Sequence, residues 1–307
     1  YISGGGMFNT RSSPTLTSCT FESNTANNGG GGMRNYYNSS PTLTNCTFEG
    51  NSSDSNGGGM LNTNSSSPTF TVCTFTNNTT ISDGAGMYNY YLSSPTLNGC
   101  TFENNTANDE GGGMYNTYDS SPTLTDCIFT DNSAGWGGGM YNGGGSPTLT
   151  GCIFDSNSAD YGGGMYNYES SPILTDTTVC GNTPDQIYGD WTDNGGNTIA
   201  DVCLQGGCCV NTICSISTES ECSEAGGTYL GDGTNCSGET CYGACCIPAT
   251  KGCVNFGQDD CNAVGGQWQG IGTNCNSIEC QIPIGACCVN DNCLDLDEET
   301  CAIVGGE

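Results

Sequence analysis

Apolar positions between residues 1 and 180 fall in short alternating clusters set among Gly, Asn, Ser and Thr. In G-G-G-M-Y-N-Y, alternation puts Met165 and Asn167 on one side and Tyr166 on the other. P-T-L-T turns Leu16 inward, and in C-T-F, Cys19 and Phe21 share a face while Thr20 looks out. The three clusters predict three short strands joined by turns. The unit returns at Met7, Met33, Met60, Met87, Met114, Met140 and Met165, a period of 25 to 27 residues. Each unit offers Met, Leu, Cys and Phe or Ile to a narrow core, worth about 1.5–3 kcal/mol per fully buried large side chain. One unit is marginal alone, so the units must stack. The pattern predicts an all-β solenoid of about seven coils spaced about 4.8 Å apart. Helix is disfavoured, because Gly and Thr dominate and no 3.6-residue period appears.

The repeated polar letters are the turns. Asn24, Asn51, Asn78, Asn105, Asn132, Asn157 and Asn182 fall above one another. So do Asn9, Asn35, Asn62, Asn89, Asn116, Asn142 and Asn167. Stacked amides can hydrogen-bond along the axis. The Gly triplets permit positive φ and close approach of coils. Pro14 and its equivalents fit the first residue of a strand.

The paired signals G-G-G-M and F-x-x-N, the latter as F-E-S-N, F-E-G-N and F-D-S-N, resemble the polymorphic outer-membrane protein repeat. That resemblance covers roughly the first 180 residues. It implies a right-handed, single-stranded parallel β-helix exposed on a bacterial surface, often as an adhesive passenger, without the family's membrane-anchoring barrel. The stretch from Val179 to Cys203 is similar to the closing segment of such helices. In the seventh coil Thr177 stands where Cys is expected and Cys180 appears later, which predicts a Cys180–Cys203 disulfide pinning a capping segment.

From about Gly206 the grammar becomes CC…C…C…GG…GTNC…C, a GACC-type cysteine-rich repeat. Cys208, Cys209, Cys214, Cys222, Cys236 and Cys241 form one set, and Cys245, Cys246, Cys253, Cys261, Cys275 and Cys280 the next. Modules this small lack a sufficient core, so three disulfides each are expected, with the connectivity open. A third set, Cys287, Cys288, Cys293 and Cys301, is incomplete at Glu307 and reads as continuing. Zinc is disfavoured, with neither a CxxC pair nor His. The organisation is a β-helix over 1–179, a cap over 180–205, cysteine modules over 206–241 and 242–283, and a partial module over 284–307.

Candidate chemistry is sparse. The inward column Cys19, Cys46, Cys73, Cys100, Cys127 and Cys152 can be read as packed thiols, vertical disulfides or a metal ladder. Tyr88, Tyr115, Tyr141 and Tyr166 form an outward contact strip, with Phe8, Arg34 and Leu61 in the same column. Asp54, Asp83, Asp109, Glu110 and Asp160 precede the Gly runs and raise Ca²⁺ as a ligand, but their offsets from the next Met vary. No other cofactor is expected. Asn38, Asn51, Asn64, Asn77, Asn78 and Asn104 begin N-x-[ST] sequons. A catalytic cluster is not expected: there is no His, no G-x-S-x-G, and Arg11 and Arg34 occupy different phases of the coil.

Composition narrows the partners. The net charge is −29 with three Lys and Arg, which excludes nucleic acid, and no apolar run spans a bilayer. The 24 cysteines point outside the cytoplasm. The chain opens within a repeat and reads as processed from a longer precursor. The expected function is an extracellular surface-fibre subunit, self-associating head to tail where Tyr1-Ile2-Ser3 runs uncapped into a coil. The alternative is a secreted adhesin holding glycans or other surface proteins.

Overall fold

The computed structural model describes residues 4–203 without a break, then segments 206–210, 213–217, 222–223, 225–232, 241, 243–247, 252–256, 261–262, 267–269, 275, 285–289 and 292–296. It divides into two compact units, Tyr1–Cys203 and Leu204–Glu307.

The first unit is a parallel β-helix of three eight-stranded sheets. Sheet A runs from Met7–Thr10 through the Met-led strands to Met165–Tyr168 and Ile187–Tyr188. Sheet B runs from Thr15–Thr17 to Ile173–Thr175 and Thr192–Asp193, and sheet C from Thr20–Glu22 to Thr178–Cys180 and Thr198–Ala200. Register never slips across the stack: Met87 pairs with Met114, Leu97 with Leu124 and Phe102 with Phe129. Two features go beyond the sequence reading. A fourth sheet of two-residue strands, Thr25–Ala26, Ser52–Ser53, Thr79–Thr80 and Thr106–Ala107, follows sheet C in the first four coils. The segment read as a cap also adds an eighth rung to sheets A, B and C before the chain leaves at Cys203.

The core is a set of one-residue columns. Met33 to Met165, Leu43 to Leu174 and Phe48 to Phe154 are buried. The Phe rings stack face to face, with centroids 4.7 Å apart at Phe21–Phe48 and 4.5 Å at Phe129–Phe154. That distance is the strand spacing itself, so backbone and rings share one repeat. The Gly run lets coils close on each other: a Cβ on Gly113 would lie 2.5 Å from the Gly139 carbonyl and 2.8 Å from Phe129 Cδ1. Sheets B and C meet at a two-residue corner whose first residue has positive φ, a place held by Ser18, Asn45, Val72, Gly99, Asp126, Gly151 and Asp176.

The second unit holds antiparallel strands. Gly206–Val210 pairs with Ile213–Ser217 and Thr228–Asp232, Gly243–Ile247 with Gly252–Phe256 and Gln267–Trp268, and Gly285–Val289 with Asn292–Leu296. Adjacent Cys208 and Cys209 bond in different directions, to Cys222 and Cys241. Cys261 and Cys275 are also disulfide-bonded. The side chains of Cys214, Cys236, Cys245, Cys246, Cys253, Cys280, Cys287, Cys288, Cys293 and Cys301 lie outside the described residues.

Candidate functional site

Identical residues stacked at one spacing make columns, and each column has its own chemistry. The Asn24–Asn182 column is buried from Asn51 onward. Asn78 Oδ1 accepts both the backbone N–H and the side-chain Nδ2 of Asn51, each at 3.0 Å. Asn78 Nδ2 in turn donates to the Phe48 carbonyl at 2.9 Å and to Asn105 Oδ1 at 2.9 Å. One amide thus ties three consecutive rungs and satisfies a turn N–H that would otherwise be buried alone. The Asn9–Asn167 column makes one side-chain bond per rung, 2.8 Å at Asn89–Asn116. Asn51 and Asn78, two of the sequon residues, are fully buried.

These columns end on purpose-shaped partners. Gln186 Oε1 accepts the Asn182 N–H at 3.0 Å and Nδ2 at 2.9 Å, standing where another Asn would. Asn167 ends on the Asp190 carbonyl. Thr177, replacing the seventh cysteine, accepts from the Cys152 N–H and hands its own N–H to Asn197 Oδ1. Trp191 packs on the last core layer. Cys180 and Cys203 are joined, with Cα atoms 4.9 Å apart. The sequence reading missed Gln186 and Asn197, since each is a single residue outside the repeat.

The six cysteines of the inward column are free thiols, buried except Cys19 at the first rung. Each sulfur donates to the carbonyl two residues back, as Cys127 does to Thr125 at 3.3 Å. In-register parallel strands keep Cα–Cβ bonds parallel, so neighbouring Cβ atoms stay about 4.8 Å apart, beyond the roughly 3.5–4.5 Å of a disulfide. Vertical disulfides are therefore disfavoured. Burial raises the Cys46 thiol pKa, and contact with the next thiol, together with burial, pushes Cys100 up to about 12. Contact with Cys127 moves Cys152 the other way, downward against its burial. It is the raised thiols, Cys46 to Cys127, that are packing groups rather than nucleophiles. The one clustered set of metal-ligating residue types among the described residues is Asp155, Cys180 and Cys203, and two of its sulfurs are spent in the disulfide.

The tyrosine strip needs correcting. Tyr88, Tyr115, Tyr141, Tyr166 and also Tyr188 stack on one another with centroids 4.8 to 5.2 Å apart and planes within 14°. Tyr88 is 7% exposed and Tyr141 8%. From Tyr88 to Tyr166 the ring faces are used within the column, leaving no open platform there. Exposed rings remain at the two ends of the column, Phe8 and Tyr188, at Trp136 and Tyr161 before the Gly runs, and at the adjoining corner, where Tyr37, Tyr91, Tyr118 and Tyr168 gather.

Asp83 and Glu110 share one offset from the following Met, and the Gly57 and Gly84 N–H groups donate to their carbonyls from the preceding rung. The acids therefore do stack here, although Asp54, Asp109 and Asp160 fall at other offsets. Burial and then the Glu110 charge push the Asp83 carboxyl up to about 6. Burial also raises Glu110, opposed by the Tyr115 and Tyr141 hydroxyls. The same burial, with the carboxylates beside them, raises the Tyr88, Tyr115 and Tyr141 phenols. A shallow polar cavity of about 470 Å³, lined by Asn167, Glu169, Ser170, Ser171 and Asp190, sits at the opposite corner of the last rungs.

Each outer face thus differs. Sheet A carries aromatics, sheet C carries Glu22, Glu49, Glu103 and Asp155, and sheet B carries two ranks of threonine. The threonine ranks are the outward letters of T-L-T, the segment whose Leu fills the core.

The family described as right handed beta helix region matches residues 2–146. No curated protein and no solved structure matches the chain. The fold and the family match agree on a right-handed parallel β-helix; disulfide-bonded segments follow it in the chain.

Proposed function

We propose that the chain is an extracellular surface protein whose β-helix is a non-enzymatic, adhesive rod. The carrying observation is the unbroken register of every column, which spends the interior side chains on neighbouring rungs. Disulfides and an abundance of Asn, Ser and Thr fit an oxidising exterior, as does the likeness to polymorphic outer-membrane repeats. Among the described residues no helix is long and apolar enough to cross a membrane. An enzymatic reading lacks a second class of group: the described cations are Arg11 and Arg34, and each lies over an aromatic ring.

Glycans or a partner protein are the ligands this reading expects, held at the exposed corner tyrosines. End-to-end self-assembly has weaker support, because Gln186, Asn197 and Trp191 close the columns of the last rungs. Tyr1–Ser3, on which that expectation rested, lie outside the described residues. A glycan and surface-protein array with the full chain tests the proposal, alongside sedimentation at high concentration. Retained ligands that are lost in Tyr91→Ala/Tyr118→Ala, with a monomeric boundary, are expected. Concentration-dependent growth into filaments with no ligand retained would establish a fibre subunit instead.

A further inference from the structure

Sheet B presents a two-dimensional lattice. Its outward residues are Thr15 and Thr17, Thr42 and Thr44, Thr69 and Thr71, Thr96 and Asn98, Thr123 and Thr125, then Thr148 and Thr150. They lie in strict register, Thr42 against Thr69 and Thr44 against Thr71. The mesh measures about 4.8 Å along the axis and about 6.7 Å along each strand, twice the residue rise. The ranks run on until Ile173 replaces Thr, Asn194 takes the Thr175 hydroxyl, and Asp193 ends the face. Over the first four rungs these outward residues are exposed.

Strand propensity alone accounts for threonine on a solvated sheet, but not for this face. Sheet C, in the same coils and with strands of the same length, has one threonine rank, Thr20, Thr47, Thr74 and Thr101, but places Glu22, Glu49 and Glu103 in its second, so it offers no uncharged two-rank lattice. In a chain of net charge −29, the outward positions of six successive sheet B strands hold no charge. The nearest carboxylates, Asp126 and Asp176, stand at the corner beyond the second rank.

The geometry points to ice as the ligand of sheet B. Threonine is stiff at χ1, so its hydroxyl and methyl recur at fixed points along each rank. The hydroxyls can hold waters at a mesh of the size at which oxygens repeat on the faces of hexagonal ice, and the methyls fill the gaps between them. Each contact is weak, but a rigid array meeting a rigid lattice sums them without an ordering cost. Liquid water holds no such register. The neutral face also matches a neutral lattice and spares the desolvation of charged groups. This inference goes beyond the adhesive reading and uses a different face.

The test is uptake of the fluorescently labelled full chain into a slowly growing ice hemisphere, with ice recrystallisation scored in parallel. The wild-type chain should enter the ice and stop recrystallisation. Thr44→Lys/Thr71→Lys, at the centre of the lattice, should lower the effective activity about tenfold or more, as central contacts dominate an interface. Thr76→Lys on sheet C should act as wild type. The milder Thr44→Ser/Thr71→Ser pair keeps the hydroxyls, and should lose activity with an unchanged circular dichroism spectrum. Exclusion of the wild-type chain from ice overturns the inference, as does full activity of the lysine pair. Binding to microcrystalline cellulose or chitin with exclusion from ice would assign the lattice to a polysaccharide crystal and overturn it too.

Discussion

Val72 occupies the left-handed region at φ 51 with 57% of its surface exposed. A β-branched side chain is poorly suited to that conformation. The other rungs place Ser18, Asn45, Gly99, Asp126, Gly151 and Asp176 at this corner, residues that turns tolerate. Val72→Asn should therefore stabilise the helix by about 1 kcal/mol, read as a rise in the chemical denaturation midpoint. An unchanged or lower midpoint would refute the strain. At this scale the sequence was only half legible. Asn columns could be read from spacing alone, yet the S-S-P letters could not. Ser39 accepts from the Ser12 N–H on the rung before, whereas Ser13 accepts from the Ser40 N–H on the rung after. Two neighbouring serines run opposite ladders, and periodicity carries no sign of direction.

At the scale of the element, the tyrosine column and its acids behave as one body. Asp83 holds its proton more tightly in the folded chain than in the unfolded one, so its ionisation opposes folding. The sign follows: stability falls as pH rises from the ordinary carboxylate range through about 6, and returns on acidification. Melting should shift upward between about pH 7.5 and about pH 5, and Asp83→Asn should shrink that shift. Relief of the general negative charge acts on both proteins and cancels in the comparison. A shift of equal size in the variant would remove Asp83 from the account. The shared offset of Asp83 and Glu110 was present in the sequence but hidden among acids that do not align. The burial of Tyr88 and Tyr141 was not legible, because alternation gives the side of a sheet and not what stacks along it.

For the whole molecule, the β-helix was the most legible part, since one period sets the strands, the core and the corners together. What escaped were the fourth short sheet, whose two-residue strands are too brief to show alternation, and two departures from the period, the eighth rung and the single residues that close the columns. Every interior rung makes the same bonds to the next, so removing one whole unit should restore all of them. Deleting residues 87–113 brings Met60 beside Met114 and Asn62 beside Asn116, the 27-residue step recurring through the central coils. The shortened chain should fold with a β-sheet spectrum and lose about one strand spacing, about 4.8 Å, in length by small-angle scattering. A deletion of 20 residues at the same place should aggregate, and equal behaviour of the two would refute the register argument. The closing residues Gln186, Asn197 and Cys203 have a bearing on ancestry as well as folding. With termination encoded once, a gene can gain or lose copies by unequal exchange, and each product is a finished protein of another reach.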